Sequence, residues 1–173
     1  LQTRARSLEL GQCYISENWK SAGFATIIVS RKHKNSNITH ALYQVDLLAQ
    51  GLINTFFEFN LEASNYNKVI EHYIKQQELV SCSYDLVHQI LYKSIEFASE
   101  YKLKAHKDIK FTRYILESDN HAVENEINIS FGEDYKALII ISPSDDTKES
   151  NAPFNSNFDQ RENKKVKIEK MNH

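Results

Sequence analysis

The stretch Phe24-Ala-Thr-Ile-Ile-Val-Ser-Arg31, followed by Lys34-Asn-Ser-Asn37 and then Ile38-Thr-His-Ala-Leu-Tyr-Gln-Val-Asp-Leu47, decides the fold class. Its first run is rich in β-branched residues and reads as a strand. The Lys34–Asn37 segment supplies turn residues, and the last run returns as a second strand. Together they predict an antiparallel hairpin. On the second strand Ala41, Tyr43, Val45 and Leu47 fall on one face, while Ile38, His40, Leu42, Gln44 and Asp46 fall on the other.

Downstream the period changes. Residues 48–60 hold the aromatic cluster Phe56-Phe57-Glu58-Phe59 and fit either a third strand or a packed loop. Tyr66, Val69, Ile70, Tyr73 and Ile74 then recur at helical spacing, with Ser64 or Asn65 as cap. Ser83 opens a second helix whose stripe is Val87, Ile90, Leu91, Ser94, Ala98 and Tyr101. Residues 104–108 form a polar connector before a short helix over 109–116. Glu126-Ile-Asn-Ile-Ser-Phe131 alternates as a half-buried strand, and Lys136-Ala-Leu-Ile-Ile-Ile141 has no polar face. The expectation is an α+β fold. In it, hairpins near 24–47 and 126–141 share one antiparallel sheet, and the two main helices pack on one face. Periodicity stops near residue 142. This predicts a single domain over 1–142 and a polar, low-complexity, extended C-terminal tail over 143–173.

Composition bounds the function. Of 173 residues 41% are apolar and 25% charged, and the net charge of −2 supplies no global field toward nucleic acid or membrane. Four isolated glycines exclude a phosphate-cradling loop and a nucleophile elbow. Cys13 and Cys82 match no zinc or redox spacing and read as reduced, buried thiols. No stretch reaches the ~18 apolar residues of a membrane span. No signal peptide opens the chain, although its start at Leu1 leaves an upstream targeting segment open. These features predict a cytoplasmic protein that needs no cofactor or metal.

Three segments carry a resemblance: Trp19-Lys-Ser-Ala-Gly-Phe24, Tyr43-Gln-Val-Asp-Leu47, and Leu86-Val-His88 through Lys104-Ala-His-Lys-Asp108. Across roughly residues 13–141 the chain resembles a family of small bacterial proteins with no assigned activity. The resemblance implies a bacterial, cytoplasmic, single-domain protein and assigns a role to no residue.

Three constellations bear on chemistry. His40 with Asp46, and His106 with Asp108, are imidazole–carboxylate pairs of the kind that hold a metal or form an oriented general base. The bland reading is a satisfied or solvated set. The hairpin tip Arg31-Lys32-His33-Lys34 and the tail lysines Lys164, Lys165 and Lys167 could grip phosphate. Their bland reading is solvated charge. Without a catalytic signature, the leading expectation is a non-catalytic interaction or assembly subunit that holds a larger protein partner through its surface and tail. The alternatives are an RNA- or ribosome-binding module using the basic tip and tail, and a small metal-dependent or acid–base enzyme.

Overall fold

The computed structural model describes residues 2–124, 126–132, 138–140 and 165–167. A 3-10 helix, Gln2–Ser7, leads into β1 (Glu9–Ser16), a short α1 (Trp19–Ala22), β2 (Phe24–Lys32), β3 (Ile38–Asp46) and β4 (Gly51–Leu61). The chain continues through α2 (Ala63–Gln77), β5 (Leu79–Cys82), α3 (Tyr84–Glu100) and a short α4 (Ile109–Thr112). Two further short strands are β6 (Leu138–Ile140) and β7 (Lys165–Lys167). The first five strands form one antiparallel sheet in the order β4-β3-β2-β1-β5. The α+β class with an antiparallel sheet and packed helices is the class that the sequence predicts.

The 24–47 hairpin lies at the centre of this sheet. Phe24 pairs with Asp46 and Lys32 with Ile38 in unbroken register. Because β2 is apolar on both faces, both must be covered. The helices accordingly divide between them, where the sequence reading had placed both on one. α3 sets Val87, Ile90, Leu91 and Phe97 against Ile27, Val29, Ala41, Tyr43 and Val45. α2 sets Tyr66 and Ile70 against Ile28 and Leu42 on the opposite side. The register explains the division. Residues 41, 43 and 45 point one way and 38, 40 and 42 the other, so each helix receives its own apolar set.

Among the described residues the expected second hairpin over 126–141 is not formed. Residues 126–131 belong to no strand, and β6 pairs with β7 instead. The alternation is nevertheless physically accounted for. Ile129 and Phe131 are buried against the α3 side of the core and Ile127 packs beside them. Side chains of α3 and the end of β3 meet the backbone at both ends of this segment. Ile127 N–H donates to Gln89 Oε1 at 2.8 Å, Lys93 Nζ donates to the Ile127 carbonyl at 3.2 Å, and Gly132 N–H donates to the Leu47 carbonyl at 2.7 Å. Period-two alternation reported a half-buried extended segment, not a ladder. The expected domain boundary at 142 lies outside the described residues.

Local signals fix the start of α3 and one tight approach, while α2 starts after Glu62 with no side-chain cap, ahead of the expected caps Ser64 and Asn65. Ser83 caps α3, its Oγ accepting from Leu86 N–H at 3.3 Å. Gly51 opens β4 at φ +69°, and a Cβ there would collide with the Ser94 carbonyl and Ala98 of α3. Only glycine combines that φ with that closeness. Asp46 closes the β3–β4 turn, Oδ1 accepting from Leu48 and Ala49 N–H and Oδ2 from Gln50 N–H.

Leu91 is fully buried between α3 and the sheet. Leu91→Ala is expected to cost about 2–5 kcal/mol, read as a lowered urea midpoint with an unchanged slope. A midpoint shift near zero would contradict the packing of α3.

Candidate functional site

The four residues with metal-site or acid–base chemistry do not converge. His40 is buried under α2, its ring edge-on to Tyr66 with centroids 5.4 Å apart. Asp46 lies six residues along the same strand, roughly 20 Å away at ~3.3 Å per residue, and its carboxylate is committed to the turn. His106 and Asp108 stay together. Nδ1 and Oδ2 are 3.9 Å apart, and His106 N–H donates to the Leu52 carbonyl at 3.0 Å. Among the described residues no three His, Cys, Asp or Glu side chains gather closely enough to hold a metal ion.

The hairpin tip is also divided. Arg31 is 2% exposed and faces α3. Its Nε donates to the Ile115 carbonyl at 2.8 Å, its Nη1 to the Leu8 carbonyl at 3.2 Å, and its Nη2 pairs with Glu117 at 2.7 Å. The guanidinium also lies 5.8 Å from the Tyr84 ring centre. This cation ties the sheet to the chain on either side of it and leaves Lys32 and Lys34 as the exposed charges of the tip. Lys164 and the side chains of Lys165 and Lys167 lie outside the described residues.

An open cleft of about 430 Å³ lies beside α3, lined by His88, Tyr92, Lys93, Asp119, His121 and Glu126 among others. The His88 and His121 rings are 5.4 Å apart, and His88 Nε2 lies 3.0 Å from the Ser118 carbonyl. Burial lowers the pKa of His88, partly opposed by that carbonyl. The cleft mixes both signs of charge and presents neither a nucleophile with its base nor a converging ligand set.

The feature that sequence reasoning left undecided is β4. Its eleven residues, Gly51-Leu-Ile-Asn-Thr-Phe-Phe-Glu-Phe-Asn-Leu61, form an edge of the five-stranded sheet. They contain one charge, no Lys and no Pro. Natural edges are normally blunted by such residues or by being short. The pairing of Leu42 with Phe56 and Ala41 with Phe57 places these aromatic rings on opposite faces. Phe56 is 37% exposed and Phe59 42%. Phe59 and the exposed Phe111 line a small pocket on the α3 side. The 102–113 segment runs beside the edge, Thr55 Oγ1 meeting Thr112 Oγ1 at 3.0 Å, and presents Lys104, Lys107 and Lys110 to solvent. The opposite edge, β5, has only four residues.

No family model matches the chain, and no curated protein or solved structure matches it either. Among the described residues no helix is long and apolar enough to cross a membrane.

His40 carries a pH consequence. Neither ring nitrogen makes a hydrogen bond among the described residues. Burial lowers its pKa to about 4, and Glu58 Oε2, 3.5 Å from Nε2, is half-exposed and too screened to offset that. The unfolded imidazole titrates near 6.5, so between that pH and about 4 the unfolded chain binds the extra proton. The stability that depends on neutral His40 is therefore complete above pH 6.5 and is lost as pH falls toward 4. Urea midpoints measured from pH 7.5 to 4.5 should fall, and the fall should be shallower in His40→Gln. Equal slopes for both proteins would remove His40 from the account.

Proposed function

We propose that the protein is a non-catalytic interaction subunit that takes an extended segment of a partner protein onto the free edge of β4. The observation that carries this reading is an eleven-residue edge strand with exposed phenylalanines on both faces and a single charge. Main-chain hydrogen bonds along such an edge supply affinity, and side chains alternating above and below the sheet supply selection. Phe56 would contact the partner on the α2 side and Phe59 on the α3 side. The flanking row Lys104, Lys107 and Lys110 favours a partner strand with carboxylates, because complementary charge steers encounter and fixes register.

The RNA-binding reading is second. Lys107 and Lys110 precede Phe111, and Lys110 Nζ sits 4.8 Å from the Phe111 ring centre. Exposed cations beside an aromatic ring are the elements of a single-strand stacking platform. Arg31 no longer contributes to it. Assembly through the tail and a cytoplasmic location remain parts of the proposal that rest on the sequence, and a bacterial source remains one that rests on the resemblance alone.

Selection from a random peptide library on the immobilised full chain tests the choice. Peptides that alternate β-branched residues with Glu or Asp should be enriched. Their binding should fall at least tenfold in Phe56→Lys with Phe59→Lys, and severalfold in Lys104→Gln with Lys107→Gln and Lys110→Gln. These positions are exposed, so melting temperature should hold within a few degrees. Helical or proline-rich consensus peptides, or undiminished binding to the Phe56→Lys, Phe59→Lys variant, would contradict the edge reading. Salt-sensitive binding of oligouridine in place of any peptide would favour RNA.

A further inference from the structure

The chain's two cysteines, Cys13 and Cys82, are far apart in sequence, but the antiparallel pairing of β1 with β5 sets them directly opposite one another. Directly opposed residues in such a pair have Cα atoms about 4.5 or 5.5 Å apart, depending on ladder position. Both values fall inside the roughly 4.4–6.8 Å that a disulfide spans. Opposed residues also point to the same face. Here that is the α3 side, where Cys13 belongs to the core and Cys82 packs against it. Both are free thiols, Cys13 buried and Cys82 partly exposed.

We infer that Cys13 and Cys82 form a redox site, a reversible cross-strand disulfide that locks the short edge strand β5 onto β1. The co-reactant is a low-molecular-weight disulfide. The Cys82 thiol, the more accessible of the two, loses its proton and attacks one sulfur of the oxidant. A mixed disulfide forms on Cys82 and the first small thiolate leaves. The Cys13 thiol then loses its proton and attacks Cys82 Sγ, and the second small thiolate leaves. Two protein thiols are oxidised to one disulfide, one oxidant disulfide is reduced to two small thiols, and the two protons go to the departing thiolates.

Burial sets the rate. It pushes Cys13 up to about 11 and Cys82 up to about 12. Little thiolate exists near neutral pH, so closure is slow there and accelerates as pH rises. Once closed, the bond is shielded by the same packing. Its mechanical effect falls on β5, which has four residues, borders only β1 among the described strands and connects α2 to α3. Fraying of β5 would loosen the link between the two helices, and the bond prevents it. β4, at the other edge, is left free.

The test incubates the full chain with oxidised glutathione at pH 8.5, followed by intact mass, thiol titration and melting. The expected product is a monomer lighter by two hydrogens. Both thiols are lost together, peptides containing Cys13 and Cys82 are linked, the melting temperature is higher, and dithiothreitol reverses all of this. Cys82→Ser should leave Cys13 unreacted. A stable glutathione adduct on Cys82 alone, a disulfide-linked dimer, or two thiols still free after prolonged oxidation would overturn the proposal.

Discussion

β2 and β3 carry apolar side chains on both faces, and neither face can be left to water. Ile27, Ile28, Val29, Leu42, Tyr43 and Val45 are almost wholly buried, and each such side chain contributes about 1.5–3 kcal/mol when it leaves solvent. One helix cannot cover both sides of a sheet. The chain therefore sends α2 to one face and α3, with the extended 127–131 segment, to the other. With both faces occupied, the edges are the exposed backbone of the sheet. β5 is short and β4 is long, so the constraint that builds the core also determines where a partner strand could bind.

Much of this could be read in the sequence, and the rest could not, for identifiable reasons. The 24–47 hairpin was legible because turn residues separate two β-branched runs, and α3 because Ser83 precedes a wide apolar stripe. β1 was not, since only Cys13 and Ile15 of its eight residues are buried. β5 is too short to show a period. β4 was ambiguous because register shifts break its alternation, and because its phenylalanines occupy both faces of an edge. Segment 126–131 looked like a strand because alternation reports one-sided burial. What meets its backbone is a tertiary fact, supplied at Ile127 by Gln89 and Lys93.

The polar residues divide in the same way. Arg31 and Asp46 had residue types suited to a site, yet each satisfies backbone groups that the fold would otherwise leave unpaired. The buried guanidinium of Arg31 neutralises Glu117 and takes two carbonyls, so its removal would strand a carboxylate and two acceptors together. The duty of Arg31 was invisible in sequence because its partners lie at residues 8, 115 and 117, whereas Asp46 serves the turn directly after it, at residues 48–50. Side-chain chemistry at the candidate positions is thus largely spent on the fold, whereas the edge of β4 borders no further strand among the described residues and gives up only its end carbonyls, Leu52 to His106 N–H and Asn60 to Asn37 Nδ2.

Amide hydrogen exchange of the full chain, with and without a saturating peptide selected from the library, tests the edge reading most directly. If β4 takes the peptide as an added strand, amides over 53–60 that exchange freely in the unbound protein become protected, and those of β5 do not change. Protection at α2, at the His88 cleft or at β5, with β4 unaffected, would contradict it.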